Sequence, residues 1–94
     1  MQSKIRIGNY GQYSSSNYGS SRFIEIGDLT LYISYETVIA YKFRGTLVVR
    51  ENDWKQTTGK HLNWIDGGNK KQRIPGTQFE SQLNNVLLLC NLCI

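Results

Sequence analysis

Alternation of apolar and polar residues dominates the first half of the chain. Ile5 and Ile7 alternate with Lys4 and Arg6, the period of a half-buried strand. Residues 22–26 resume the pattern, and Gly27-Asp28 supplies a turn. Leu29, Leu31 and Ile33 then alternate with Thr30, Tyr32 and Ser34, the clearest half-buried strand in the sequence. Residues 37–43 are β-branched and aromatic, Arg44-Gly45 marks a turn, and residues 46–50 read as the returning strand. Short strands joined by tight turns predict an antiparallel meander of about five strands.

The pattern breaks twice. Residues 8–21 carry no charge and are rich in Gly, Ser and Asn, which predicts a loop, although Tyr10, Tyr13 and Tyr18 stand out in it. Residues 52–76 lose the alternation and read as a long binding-type loop with one short strand around residues 62–65. After Pro75-Gly76 the period becomes helical. Phe79, Leu83, Val86, Leu87 and Cys90 form one stripe, and Thr77-Gln78-Phe79-Glu80 reads as a capping box that starts the helix at Thr77. The fold class expected is therefore α+β: an antiparallel sheet with a C-terminal amphipathic helix on one face. Leu88, Leu89, Leu92 and Ile94 fall off the stripe and call for a second buried face or a partner subunit.

Length and composition narrow this further. The 94 residues fit a single domain, 1–94, whose modest core makes a homo-oligomer the expectation. No signal-peptide pattern opens the chain. Its longest apolar run, residues 86–90, is far short of the ~20 residues that span a bilayer, so a cytoplasmic, membrane-independent protein is expected. With one His in the whole chain, general acid–base catalysis lacks its usual second partner, and the expectation is a protein that is not an enzyme.

Charge is the most local signal. Lys55, Lys60, Lys70, Lys71 and Arg73 face only Asp66 within residues 55–73, so this segment alone matches the formal net charge of +4 of the whole chain. It also holds Thr57-Thr58-Gly59-Lys60-His61 and the glycines Gly67-Gly68. Glycine exposes backbone N–H groups and lysine adds point charge, a combination that suits phosphate, although the P-loop spacing is absent and a solvated basic turn region reads equally well. Trp54, Trp64 and the loop tyrosines offer faces for base stacking, or alternatively core anchors. The candidate ligand-binding set is thus Tyr10, Tyr13, Tyr18, Trp54, Thr57, Thr58, Gly59, Lys60, His61, Trp64, Lys70, Lys71 and Arg73. Cys90 and Cys93 have CxxC spacing but too few companions for zinc, so no metal and no cofactor is expected.

The run from Asn9-Tyr10-Gly11-Gln12-Tyr13 through Leu29-Thr30-Leu31-Tyr32-Ile33 to Leu47-Val48-Val49-Arg50-Glu51-Asn52, with Thr58-Gly59-Lys60-His61-Leu62-Asn63, resembles a family of small proteins found in bacteriophages and mobile elements. The likeness covers roughly residues 5–85 and is most specific in the TGKHLN segment. It supplies no catalytic residues. What it implies is an accessory protein in the cytoplasm of an infected host, one that counters a defence by sequestering a signalling nucleotide. Two alternatives stay open: an inhibitor directed at a host nuclease or CRISPR effector, and a single-stranded nucleic-acid-binding protein.

Overall fold

Five predicted segments form five strands in the computed structural model, which describes residues 5–11, 21–53 and 56–90. The strands β1 (Ile5–Asn9), β2 (Ser21–Ile26), β3 (Leu29–Ser34), β4 (Thr37–Phe43) and β5 (Thr46–Val49) lie in chain order in one sheet, each antiparallel to the next. The architecture is the α+β meander that the alternation predicts. The tight turn between β4 and β5 places both Arg44 and Gly45 at positive φ, the twist that hairpin turns favour.

Register assigns the faces, because cross-strand partners point the same way. Ile24, Leu31, Tyr41 and Val48 are successive partners, as are Phe23, Tyr32, Ala40 and Val49 on the opposite face where the pairs continue. The first face is covered by helix α2 (Gly76–Leu89): Phe79, Leu83, Val86 and Leu87 pack with Leu29, Leu31 and Tyr41, and Cys90 lies partly buried beside them. The stripe read from the sequence is thus the buried stripe. Leu88 and Leu89 are 66% and 72% exposed, and Leu92, Cys93 and Ile94 lie outside the described residues.

The second face carries a helix that the sequence reading did not expect. Residues 52–76 are not one long loop, and no strand occupies residues 62–65. Instead, α1 (Gln56–Asp66) buries Leu62 against Ile39, Ala40 and Val49, with Tyr32 and Ile65 at the margin, and a 3₁₀ turn (Lys70–Gln72) follows. A register shift at Tyr32/Ile33 leaves Ile39 as an extra residue in β4, so Ile39 and Ala40 both enter this core. The sheet is therefore sandwiched between two helices.

Two other local expectations change. The helix α2 begins two residues earlier than the capping box implies, with Pro75 rather than Thr77 at its N-cap and no side-chain cap. Glu80 does not reach back to Thr77; its carboxylate lies 3.5 Å from Arg50, which is buried across the Phe79 ring. A Cβ at Gly76 would land on the Arg50 guanidinium, so a larger residue there would displace that side chain from its place. At the sheet edge, Ile5 and Ile7 form a strand but are not half-buried: they are 65% and 69% exposed.

Candidate functional site

The helix α1 distributes the basic segment over two sides, which the linear sequence presents as one cluster. Positions 58, 61, 62 and 65 recur at i, i+3, i+4 and i+7 and face the sheet. Positions 59, 63 and 66 face the other way, toward the chain leaving β5 and the 3₁₀ turn.

The sheet side is a buried polar knot. His61 is fully buried, and its Nδ1 shares a 2.7 Å hydrogen bond with the Ser34 hydroxyl, which also meets the Thr58 hydroxyl at 3.2 Å. Burial pushes the His61 imidazole below its ordinary pKa, so the ring is neutral at neutral pH. Rings enclose it: Tyr10 stands edge-on at 5.9 Å and Tyr35 lies at 6.1 Å. Tyr10 is itself anchored, 3% exposed, with its hydroxyl donating to the Ile33 carbonyl at 3.0 Å and its ring against Tyr32 and Trp64. The Ser34–His61 pair has the atoms of a nucleophile and a base. Yet the cavity that Ser34 borders with Tyr35, Thr37, Ile39 and Thr58 holds about 70 Å³, far below the ~300 Å³ at which substrate pockets begin. Thr58 and His61 point inward because every third or fourth residue of α1 faces the sheet, and Tyr10, just after β1, packs beside them, so these three of the expected ligand-binding residues lie in the interior between α1 and the sheet.

The opposite side of α1 opens into a cleft of about 280 Å³ lined by Glu51, Asn52, Gly59, Asn63, Lys70 and Arg73. Gly59 lets the chain leaving β5 approach, since a Cβ there would come within 3.1 Å of the Asn52 amide. Beneath the cleft, Arg73 is clamped. Its Nε donates to Asp66 Oδ2 at 2.7 Å, and its Nη2 donates to Asp66 Oδ1 and Asn63 Oδ1, both at 3.0 Å. Both side chains of this ion pair are less than a tenth exposed. Burial opposes ionisation of Asp66, but the hydrogen bonds from Arg73 and the Gly68 N–H, with the Arg73 charge, outweigh it and hold the carboxyl below its ordinary pKa.

The glycine turn is organised around a carboxylate of the protein itself. Gly67 and Gly68, both at positive φ, bend the chain so that the Gly68 N–H donates to Asp66 Oδ1 at 2.9 Å. The anion held by this turn is the protein's own Asp66. Arg73 likewise serves as the partner of Asp66 and not as unmatched positive charge.

Lys60, Lys70 and Lys71 remain exposed. Of these, Lys70 lines the cleft. Trp64 is 49% exposed, one turn after Lys60 on α1, with its ring 5.3 Å from Tyr10. Tyr13, Tyr18 and Trp54 lie outside the described residues, as does the side chain of Thr57. The structure thus brings together Gly59, Lys70 and Arg73, separates them from Tyr10, Thr58 and His61, and adds Glu51, Asn52 and Asn63. Asn63 was legible as the residue four after Gly59, had the segment been read as helical. Ser34 has no sequence signal, since only folding brings it to His61.

Residues 5–81 match the profile of a family of unknown function, DUF8033. The chain belongs to that family. The span matched in this DUF8033 chain contains the whole sheet, α1, the cleft and the first six residues of α2. No curated protein and no solved structure matches it. No helix among the described residues is long and apolar enough to cross a membrane.

Proposed function

We propose that this DUF8033 chain is a non-enzymatic binding protein that takes an anionic, nucleotide-like ligand in the cleft beside α1, and that it sequesters a signalling nucleotide of a host defence. The observation that carries the binding reading is the cleft itself. It combines a lysine at its wall with two side-chain amides, and its volume of about 280 Å³ is near the lower bound of small-molecule sites. Lys70 supplies positive charge for a phosphate, Asn52 and Asn63 supply donors and acceptors, and the Glu51 carboxylate suits a ribose diol. His61, the only imidazole, belongs to the interior on the other side of α1, which favours binding over turnover. The sequestering role follows from the resemblance to small phage and mobile-element proteins.

Calorimetry against cyclic and ADP-ribose-derived nucleotides tests this reading. One nucleotide binds per chain, and Lys70→Glu weakens it at least tenfold while thermal melting stays unchanged. Absence of heat with every nucleotide, together with no nucleotide carried through purification, overturns it.

Trp64 favours a second reading, a protein-directed inhibitor. A half-exposed tryptophan beside Lys60 on a helix is the type of side chain that dominates protein interfaces. In that case a host protein is captured stoichiometrically, and Trp64→Ala abolishes the capture while Lys70→Glu does not.

A further inference from the structure

The two edges of the sheet are finished differently. At the β5 edge the segment before α2 pairs with the end of the strand: the Ile74 N–H donates to the Val49 carbonyl at 3.0 Å, and the Glu51 N–H donates to the Ile74 carbonyl at 2.8 Å. At the other edge, β1 pairs with β2 through all five of its residues, and no described strand lies on its outer side. Alternate N–H and C=O groups of such a strand point outward and template further pairing. Lysine, proline or a bulge commonly guards an edge, and the described β1 has none of them. Its one charge, Arg6, points to the side opposite the isoleucines and pairs with Glu25 at 3.3 Å. Ile5 and Ile7 stand opposite Ile26 and Ile24, which are half-buried, so four isoleucines form one apolar strip along the rim.

We infer that this edge binds a second copy of the chain, β1 pairing antiparallel with β1 about a twofold axis and Ile7 facing Ile7. Self-pairing in this register is complementary. Arg6 meets Gly8 of the other copy and Ile5 meets Asn9, so no like charges face one another, and the two isoleucine strips merge on one face. A register centred on Arg6 would oppose two arginines.

Charge favours the same occupant. The described residues of β1, β2 and the turn after them carry Arg6 and Arg22 against Glu25 and Asp28, a neutral edge, while the exposed cations Lys60, Lys70 and Lys71 belong to α1 and the 3₁₀ turn after it, and α1 packs on β4 and β5. Two copies therefore meet with their basic segments apart. A neutral apolar strip offers a nucleic acid no phosphate contacts. A twofold contact uses each β1 edge once and therefore stops at a dimer.

Sedimentation equilibrium at tens of micromolar tests the inference. The expected mass is twice the chain's 10.8 kDa, and Ile7→Lys halves it with the circular dichroism spectrum retained. Leu88→Lys, at an exposed position on α2, leaves the dimer intact. Amide hydrogen exchange on the unaltered chain gives an independent readout: β1 amides lose protection on dilution, and those of β5 do not. A wild-type mass of one chain overturns the inference, including the case in which the edge accepts an extended peptide instead. So does a dimer indifferent to Ile7→Lys, a dimer lost with Leu88→Lys, or β1 exchange unaffected by dilution.

Discussion

Arg73 and Lys70 are three residues apart, carry the same charge and border the same cleft, yet the fold uses them for different purposes. Arg73 is buried and held by Asp66 and Asn63 through three hydrogen bonds, whereas Lys70 is exposed at the cleft wall. The difference shows that a basic cluster in a sequence is not a measure of available charge. Once the Arg73–Asp66 pair is set aside, the cations of the described part of this segment are Lys60, Lys70 and Lys71. The planar guanidinium matches a carboxylate and an amide together, which explains why the buried position is arginine and the wall position lysine.

The largest expected effect comes from breaking the buried member of this comparison. Arg73→Met leaves the Asp66 carboxylate buried without its partner, and urea denaturation should show a loss of about 3–5 kcal/mol. The double change Arg73→Met with Asp66→Asn should recover part of that loss, because the uncompensated charge is gone. A loss under ~1 kcal/mol for Arg73→Met would place Arg73 on the same footing as Lys70.

The polar knot on the other side of α1 ranks next. Ser34→Ala removes the hydroxyl between His61 and Thr58 and should cost about 1–3 kcal/mol in the same assay, the usual result of leaving a buried polar group without its partner.

Acid should separate the two sides of α1 by pH. His61 has a lowered pKa in the folded state, so the unfolded chain binds more protons once pH falls below the ordinary imidazole value of about 6.5. Its contribution to stability is complete above that value and is lost as pH descends toward the lowered one. Asp66 is also lowered, so its contribution is complete above the ordinary aspartate value of about 3.9 and disappears below it. Melting temperature against pH should therefore fall in two stages, and His61→Gln should erase the first stage alone.

Lys70→Glu has the smallest effect on folding, within about 0.5 kcal/mol, as expected of an exposed side chain. It sharpens the comparison because its consequence should appear in nucleotide calorimetry and not in melting. A variant that melts normally and binds normally would remove Lys70 from the site.

β1, β2 and β3 were readable from alternation of apolar and polar residues, and β4 and β5 from β-branched and aromatic residues on either side of the Arg44-Gly45 turn. The helix α2 was readable because four apolar residues, Phe79, Leu83, Val86 and Leu87, mark its buried stripe without interruption. The helix α1 was not, and the reason is chemical. Its inward stripe is Thr58, His61, Leu62 and Ile65, half of it polar, and Gly59 lowers helix propensity by about 1 kcal/mol relative to alanine. Read with the polar members included, the 58, 61, 62, 65 spacing is helical. Polarity concealed a core position because the partner that satisfies it, Ser34, lies 27 residues away in the chain.

By itself, then, the sequence determined the α+β class, the order of the strands, the C-terminal helix and the place where positive charge concentrates. These follow from periodicity and local counting. Tertiary structure alone decided which cations remain exposed, that the glycine turn encloses Asp66, that His61 is an interior residue, and that Asn52 and Asn63 face a cleft. Each depends on which groups meet across the fold. Hydrogen bonding and charge neutralisation act over about 3 Å in space, however far apart the residues stand along the chain.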